Sequence, residues 1–325
     1  MVEPEKARVV LLATPEFGVP TLRALARHGY QVVGVVCQPD RAAGRGLQLT
    51  APAVKRAALE LGLPVFQWSS LRTPEALAIL ADLKADLFLV AAYGLHIPDE
   101  VVALPPKGCL NLHPSLLPRH RGASPVASAI LAGDVDTGVA VLLVTSEMDA
   151  GDIVAQERTP IGPDESTGAL TARLGEWGAD VYVDAVTRWL RGEARPWAQD
   201  ASQATWSQRL TREDARLDWR KDATALARQV RAFDPWPGTH TTWRGEPVSI
   251  LAAAQLEWRG EEQPGTVLRI PQGIAVTTPA GALLLKTLQV AGKRAVAALD
   301  FANGARGFVG AVLGDAAEGD QNRVQ

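Results

Sequence analysis

Two polar side chains that could stabilise a developing negative charge lie in one short apolar run. Asn111 and His113 are two residues apart within 109–113, so both side chains leave the same face of a strand. An amide and an imidazole can both donate hydrogen bonds to a carbonyl oxygen, and such donors stabilise an oxyanion as it forms. A histidine that only closes a strand-end turn is the structural alternative, and these residues alone leave both interpretations open.

A carboxylate follows the next apolar run and could serve the same site. Asp149 and Asp152 lie three residues apart in the loop 146–152, which also contains Gly151. A carboxylate beside His113 would orient its imidazole, as the third member of many acid–base groups does. The ordinary alternative is an aspartate that closes its own turn through backbone hydrogen bonds.

The residues around Asn111 and His113 suggest a basic rim and an inert thiol. Arg119, His120 and Arg121 follow directly, and we expect them to form a solvated loop at the edge of the site. Cys109 begins the apolar run, and no charged residue is its neighbour in sequence. We therefore expect a buried thiol rather than the nucleophile of an acyl-enzyme.

Alternating strands and helices are needed to position these residues. Short apolar runs predict buried strands over 8–13, 31–37, 86–91, 109–113 and 139–145. Helical patterns occupy 16–28, 52–61, 74–83 and 167–190, and 38–51 is predicted to be a loop. The order predicts an α/β domain with a doubly wound, mainly parallel sheet covered by helices on both faces. Ligands of such sheets bind beyond the carboxyl ends of the strands, where Asn111 and His113 lie.

The turn after the first strand argues against a nucleotide cofactor. A dinucleotide site places a glycine cluster there, whereas this chain has Thr14, Pro15 and Glu16. Glu16 would repel a pyrophosphate at a helix start. No phosphate-binding loop of the GxxxxGK[ST] type occurs in the sequence. The sheet is therefore not predicted to bind NAD or ATP.

A second domain follows a polar segment with weak periodicity. We predict one domain over 1–195, a linker over 196–206, a second domain over 207–315 and a frayed tail over 316–325. The second domain contains a predicted helix at 223–233 and strand-like runs at 240–243, 248–256, 265–270, 274–278 and 283–289. Short strands at this spacing predict a small antiparallel barrel or sandwich.

Composition sets limits on location and partners. The chain has 325 residues and a formal net charge of −3, which argues against a strongly basic nucleic-acid binder. Residues 207–325 hold 15 Lys and Arg against 13 Asp and Glu, so the second domain is mildly basic. Two cysteines, no signal-peptide pattern and no long apolar stretch predict a cytoplasmic protein that does not enter a membrane.

The motifs together resemble the folate-dependent formyltransferase family. The match begins with Asn111, His113, the SLLP segment 115–118, Arg121-Gly122 and the loop 149–152. Members that act on methionyl-tRNA share further segments with this chain, namely 13–17, 38–46, 91–98, 210–219 and 231–238. The resemblance covers both domains, and it implies a Rossmann-like formyltransferase domain followed by an OB-like barrel that helps to hold the tRNA.

The resemblance also assigns roles to individual residues. It implies transfer of a formyl group from N10-formyltetrahydrofolate to the amino group of initiator methionyl-tRNA, by a monomer that needs no metal. Asn111, His113 and Asp149 would be catalytic. Folate would lie along Ser115, Leu116, Leu117 and Pro118, and along Tyr93, Gly94 and Leu95. The basic residues that we expect to contact tRNA are Arg41, Arg45, Arg209, Arg231 and Lys293.

Three other functions would use a similar chain. A formyltransferase for a small amine, such as an amino sugar nucleotide, would lack the matches at 210–219 and 231–238. A hydrolase that releases formate usually carries an additional domain before the first strand. An RNA-binding protein with an inactive formyltransferase fold would be expected to have lost Asn111, His113 or Asp149, which are all present.

Overall fold

A computed structural model describes residues 3, 6–43 and 48–314 of the chain, which form two compact units. Unit 1 runs up to Val126 and also contains Val135–Ile161 and Ala169–Gln208. Unit 2 contains Ala127–Asp134, Gly162–Gly168 and the residues from Arg209 onward. None of the helices in these described residues is both long and apolar enough to cross a membrane.

The first part of the chain supplies eleven described strands and six helices. The strands are β1 (Arg8–Ala13), β2 (Gln31–Cys37), β3 (Arg41–Ala43), β4 (Gln48–Thr50), β5 (Val65–Gln67), β6 (Leu87–Ala91), β7 (Cys109–His113), β8 (Arg121–Gly122), β9 (Asp136–Leu143), β10 (Ile153–Pro160) and β11 (Trp206–Ser207). The helices are α1 (Gly18–Arg27), α2 (Ala53–Glu60), α3 (Pro74–Asp82), α4 (Asp99–Val102), α5 (Pro125–Ala132) and α6 (Thr167–Arg191).

A seven-stranded sheet forms the centre of unit 1, in the order β10-β9-β7-β6-β1-β2-β5. β1 pairs in parallel with β2 and β6, β6 with β7, and β2 with β5. The apolar runs predicted as strands are buried, since β1 and β6 are covered on both faces. This confirms the predicted mainly parallel sheet. Only its β9 end, where β9 pairs with β7 and β10, is antiparallel.

Tyr182 of α6 joins the two strands that lead to the polar end of β7. Its hydroxyl donates to the Leu110 carbonyl at 2.6 Å and accepts from the Val90 backbone N–H at 3.0 Å. The side chain is fully buried, and burial raises the pKa of its phenol well above the ordinary value. The long helix is thereby tied to β6 and β7 one residue before Asn111.

The segment predicted as a loop between β2 and α2 contains a small hairpin instead. β3 and β4 pair antiparallel, with Arg41 opposite Thr50 and Ala43 opposite Gln48. The described side chains of both strands are exposed, so no buried face gave the sequence a strand pattern. A partly buried hydrogen-bond network lies next to the start of the hairpin. Lys55 Nζ donates to both Asp40 carboxylate oxygens at 2.9 Å and to Gln67 Oε1 at 2.8 Å.

Unit 2 is built on one antiparallel sheet of six described strands. Its elements are α7 (Ala223–Ala232), β12 (His240–Trp243), β13 (Glu246–Leu256), β14 (Val267–Ile270), β15 (Gly273–Thr277), β16 (Ala282–Val290), β17 (Val296–Ala297) and α8 (Ala298–Gly304). The order is β12-β13-β16-β15-β14, with β17 also paired to β16. The sheet curls into a half-barrel, which confirms the OB-like second domain.

Aromatic and aliphatic side chains form the core of unit 2. Trp219, Leu226, Val248, Leu288 and Phe308 belong to one buried cluster. Trp219 also uses its polar end, because its indole N–H donates to Thr241 Oγ1 at 3.0 Å. The core therefore connects the residues before α7 with the sheet and with the last described turn.

Candidate active site

The carboxyl end of β7 brings together the three residues expected to be catalytic. β7 lies between β6 and β9, with Asn111 opposite Val90 on one side and Leu142 on the other. Asn111 is half-buried, and His113 is only 4% exposed. The loop between β9 and β10 carries Asp149 back to this strand end, which makes a cluster of an amide, an imidazole and a carboxylate.

Asp149 is the common partner in this cluster. Its Oδ1 accepts a hydrogen bond from Asn111 Nδ2 at 3.4 Å, and its Oδ2 lies 3.6 Å from His113 Nδ1. Oδ2 also accepts from the Gly122 backbone N–H at 2.9 Å. The carboxylate is thus held by a backbone donor on β8, while its contact with the imidazole is longer than a hydrogen bond.

The imidazole of His113 is oriented by a backbone carbonyl. Nε2 lies 2.9 Å from the oxygen of His120, and a carbonyl can only accept, so Nε2 is the donor. Nδ1 is therefore the nitrogen that can exchange a proton or a hydrogen bond with a ligand. The sequence predicted that Asp149 would orient the ring, whereas the shorter of the two contacts is with the His120 carbonyl.

A segment from Trp197 to Ser207, here called the closing segment, supplies groups that sequence reasoning missed. Gln199 Nε2 donates to the backbone carbonyls of Asp149 and Gly151, both at 2.8 Å. β11 pairs in parallel with β8, and the His120 N–H donates to Thr205 Oγ1 at 2.8 Å. We interpreted 196–206 as a linker because it is polar and aperiodic. In the structure this segment belongs to unit 1, and its hydrogen bonds go to β8, to His120 and to the backbone of the 149–151 loop.

Arg121 is buried, contrary to the solvated rim expected for 119–121. The residue is 4% exposed, and its Nε and Nη2 donate to Gln199 Oε1 at 3.1 and 2.9 Å. Its guanidinium also lies 5.8 Å from the centre of the Trp206 ring. His120 is buried as well. The closing segment covers this loop, and nothing local in the sequence signals such long-range burial.

The residues expected to contact folate divide into buried and accessible ones. Ser115 is fully buried and donates to the Arg119 carbonyl at 2.7 Å, and Leu117 packs with Ala140, Leu142 and Ile153. Leu116 and Pro118 are half-buried. On this strand end, the protein's own packing thus occupies Ser115 and Leu117, and Leu116 and Pro118 retain surface for a ligand.

The second expected folate segment follows β6, at the carboxyl edge of the sheet. The Tyr93 carbonyl accepts from Thr14 Oγ1 at 2.8 Å and from Gln38 Nε2 at 3.0 Å. Tyr93 is itself buried, Leu95 is half-buried, and Gly94 is exposed with a φ of 82°. The positive φ favours glycine here, and a Cβ would also displace Gln38 Nε2, which would lie 2.5 Å away.

The residues expected to contact tRNA differ in exposure and belong to both units. Arg41 is exposed in unit 1, and Arg209 and Lys293 are exposed in unit 2. Arg231 is half-buried and donates to the Glu165 carbonyl at 3.1 Å, and burial lowers the pKa of its guanidinium. Arg45 and the tail 316–325 lie outside the described residues. The structure therefore assembles the expected catalytic group within unit 1, whereas the described tRNA candidates are divided between the two units.

Neither thiol is available as a nucleophile in this fold. Cys37 and Cys109 are free and buried. Burial raises the pKa of Cys37 to about 11 and raises that of Cys109 further above its ordinary value. Within residues 3, 6–43 and 48–314, no group of three or more His, Cys, Asp and Glu side chains is placed to hold a metal ion.

Comparison with known proteins covers both units. Residues 7–186 match the formyl transferase family, and residues 209–306 match the formyl transferase C-terminal domain. A methionyl-tRNA formyltransferase of Roseiflexus castenholzii (strain DSM 13941 / HLO8) is 48% identical over 309 residues, which are 94% of this chain and 99% of that protein. Another from Hydrogenovibrio crunogenus (strain DSM 25203 / XCL-2) is 42% identical over 94% of this chain and 98% of its own length.

The fold is also similar to that of a solved structure with low sequence identity. HypX from Aquifex aeolicus, in complex with tetrahydrofolic acid, superposes with a TM-score of 0.61 at 20% identity. The match covers 94% of this chain and 48% of HypX, so this chain spans about half the length of that protein. At this identity the likeness concerns the fold.

Proposed function

Because the chain belongs to the methionyl-tRNA formyltransferase family, it transfers a formyl group to methionyl-tRNA, and we propose that Asn111, His113 and Asp149 perform this transfer. The product, N-formylmethionyl-tRNA, serves translation initiation. The donor in this proposal is N10-formyltetrahydrofolate.

The observation that carries the proposal is the convergence of two donors beside one carboxylate. Asn111 uses one amide N–H on Asp149 and has a second for the formyl oxygen. His113 has Nε2 bound to a backbone carbonyl, which leaves Nδ1 to donate when the imidazole is protonated. Both donors are fixed before the substrate arrives, which is the requirement for stabilising an oxyanion.

The reaction then follows from these positions. The methionyl amine attacks the formyl carbon, and the carbonyl oxygen gains negative charge that Asn111 Nδ2 and His113 Nδ1 stabilise. The amine loses one proton, and N10 of the folate gains one when its bond to the formyl carbon breaks. Asp149, held beside His113, accepts and returns the proton. The two donors supply the electrophilic assistance, so the proposed step needs no metal ion.

We assign the folate to the surface along Leu116 and Pro118 and along Gly94 and Leu95. These residues retain accessible surface and flank the strand ends beside the catalytic group. A partly apolar slot with backbone donors suits a flat heterocycle. The side chains of Ser115, Leu117 and Tyr93 would then support this surface from beneath.

We assign the tRNA to exposed basic residues in both units. Arg41 lies on the β3–β4 hairpin, whose base is fixed by Lys55 and Asp40, and Arg209 and Lys293 are exposed in unit 2. Backbone phosphates would be the main partners of such residues. We take 1–195 as the catalytic domain and 207–315 as the tRNA-binding domain of a monomer that acts on initiator methionyl-tRNA in the cytoplasm.

The test is formyl transfer by the purified protein from N10-formyltetrahydrofolate to methionyl-tRNA, with free methionine as a parallel acceptor. We expect formylation of the charged tRNA and none of the free amino acid. Loss of turnover in Asn111→Ala, His113→Ala and Asp149→Asn, with folding retained, would support the assigned residues. Full turnover in any one of them would remove that residue from the proposed mechanism.

A further inference from the structure

Gln199 bridges a buried guanidinium and the loop that carries Asp149. Its Nε2 donates to the carbonyls of Asp149 and Gly151 at 2.8 Å each, and its Oε1 accepts from Arg121 Nε and Nη2 at 3.1 and 2.9 Å. All three polar positions of this side chain are therefore used. Gln199 contacts the backbone of the catalytic loop, and no bond joins it to the Asp149 carboxylate in the described structure.

The orientation of this amide is fixed by the chemistry of its partners. A guanidinium only donates and backbone carbonyls only accept, so the oxygen must face Arg121 and the NH2 group must face the loop. Turning the amide by half a rotation would oppose donor to donor and acceptor to acceptor. Arg121 thus determines that Gln199 presents two N–H groups to the loop.

The loop that Gln199 holds is strained at the catalytic residue itself. Asp149 has a φ of 51°, in the left-handed region that non-glycine residues enter rarely and at a cost. Two positions further on, a Cβ at Gly151 would collide with the Leu143 carbonyl oxygen. Leu143 thus limits the loop on one side, and the two hydrogen bonds from Gln199 hold its backbone.

A close ion pair does not explain the burial of Arg121. Its side chain is 5% exposed, and its carboxylate partner is Glu147 at 3.5 Å, whose side chain is 69% exposed. Its shortest hydrogen bonds go to a neutral amide oxygen. A charge taken out of water is expensive unless it is well paired, so a simple stabilising ion pair does not account for this arrangement. Holding the amide of Gln199 does account for it.

We propose that Gln199, anchored by Arg121, is a positioning residue that keeps Asp149 at its distance from His113 and Asn111. The inference rests on the proposed role of Asp149 in formyl transfer. Gln199 acts through the backbone of the loop and not on the substrates, so its loss lowers turnover and leaves substrate binding intact.

Gln199→Met is the direct test, because methionine is similar in length and lacks the amide. We expect kcat to fall about 10- to 100-fold, the cost typical of a small displacement of a catalytic group. KM for N10-formyltetrahydrofolate and for methionyl-tRNA should stay within about twofold of the original values. Gln203→Met is the matched control, since Gln203 is exposed on the same segment, donates to Asp200, and should leave kcat unchanged.

Gln199→Glu separates positioning from folding. The carboxylate keeps the acceptor for Arg121, but it loses the two donors and sets an oxygen against the two loop carbonyls. We therefore expect kcat to fall at least as far as in Gln199→Met, while the charge pair with Arg121 keeps the variant folded. Wild-type kcat in a folded Gln199→Glu variant would overturn the proposal.

A double variant distinguishes this inference from the proposed site. If Gln199 acts through Asp149, Gln199→Met should have no further effect on kcat in an Asp149→Asn background. An additional loss of the same size there would show that Gln199 acts independently of Asp149, against the proposal. Wild-type kcat in Asp149→Asn alone would instead contradict the assigned catalytic residues, whatever Gln199 does.

Discussion

His113 donates through Nε2 to the backbone carbonyl of His120 at 2.9 Å, and this bond decides which ring nitrogen can face a substrate. Nδ1 is the nitrogen that remains, 3.6 Å from Asp149 Oδ2. His120 is in turn held by Thr205 of the closing segment. The direction in which Nδ1 points is therefore set by a backbone carbonyl, which is the closer of the two contacts.

Removing either oxyanion donor should reduce turnover far more than it reduces binding. We expect His113→Ala and Asn111→Ala each to lower kcat about 100- to 1,000-fold, the usual cost of one such donor. Steady-state kinetics with methionyl-tRNA would measure this, and circular dichroism would verify the fold. A proportional rise in KM with kcat unchanged would mean that the side chain binds substrate and does not stabilise the transition state.

Charge and backbone conformation can be separated at Asp149. Asparagine tolerates the left-handed conformation that φ of 51° requires, whereas alanine does so poorly. We expect Asp149→Asn to keep a free energy of unfolding close to the original and to lose turnover. Asp149→Ala should lose turnover and also about 1 kcal/mol or more of stability. Urea denaturation compares the free energies of unfolding of the two variants, and equal values would contradict the prediction.

Tyr182 should be the more important of two tyrosine hydroxyls that join distant parts of unit 1. Tyr182→Phe leaves the buried Val90 N–H and Leu110 carbonyl without this partner, which should cost about 1–3 kcal/mol. Tyr30→Phe is the matched control, because its bond to Thr187 Oγ1 is only partly buried. The loss in the free energy of unfolding should be smaller for Tyr30→Phe. Urea unfolding of both variants measures this, and a larger loss in Tyr30→Phe would contradict the prediction.

Cys109→Ala should leave turnover unchanged. Burial raises the pKa of this thiol, so it stays protonated at neutral pH and cannot attack the formyl carbon. A modest loss of stability is expected, because a small buried side chain is shortened. Formyl transfer by the folded variant is the measurement. A strong loss of kcat with the fold intact would restore the acyl-enzyme alternative.

The exposed and the half-buried arginines should differ in how they respond to salt. Arg41 is free to meet a phosphate, so Arg41→Gln should weaken the salt dependence of kcat/KM for methionyl-tRNA by about one unit of logarithmic slope. Arg231 is engaged with the Glu165 carbonyl, and Arg231→Gln should leave that slope unchanged. If both variants showed the same slope, the hairpin residue Arg41 would not be a tRNA contact.

The strands that carry the site could be predicted because their environment leaves a strong pattern. β1 and β6 are buried on both faces and appear as continuous apolar runs, and β7 keeps a shorter apolar pattern around Asn111 and His113. The polar edge strand β10 and the exposed hairpin β3–β4 bury little, so they produce no such run and were not predicted. Strand parity and the position at a strand end singled out Asn111 and His113, and the family resemblance then implied their roles.

The supporting residues could not be found in this way. Gln199 lies in a polar segment without periodicity, and its role depends on contact with a loop 50 residues earlier in the chain. The burial of Arg121 depends on the same segment. Sequence patterns report which face of an element is buried, but they do not report which distant segment covers a loop.

The order of synthesis gives the closing segment a further significance. When α6 leaves the ribosome, all seven strands of the sheet and the three side chains proposed to be catalytic have already been made. The partners of the His120 and Arg121 backbones, Thr205 Oγ1 and the Thr205 carbonyl, are still to come. A nascent chain that ends within α6 thus carries the proposed catalytic residues but not the closing segment, whose hydrogen bonds to the backbone of β8 and the 149–151 loop form only after Ser207 has been made.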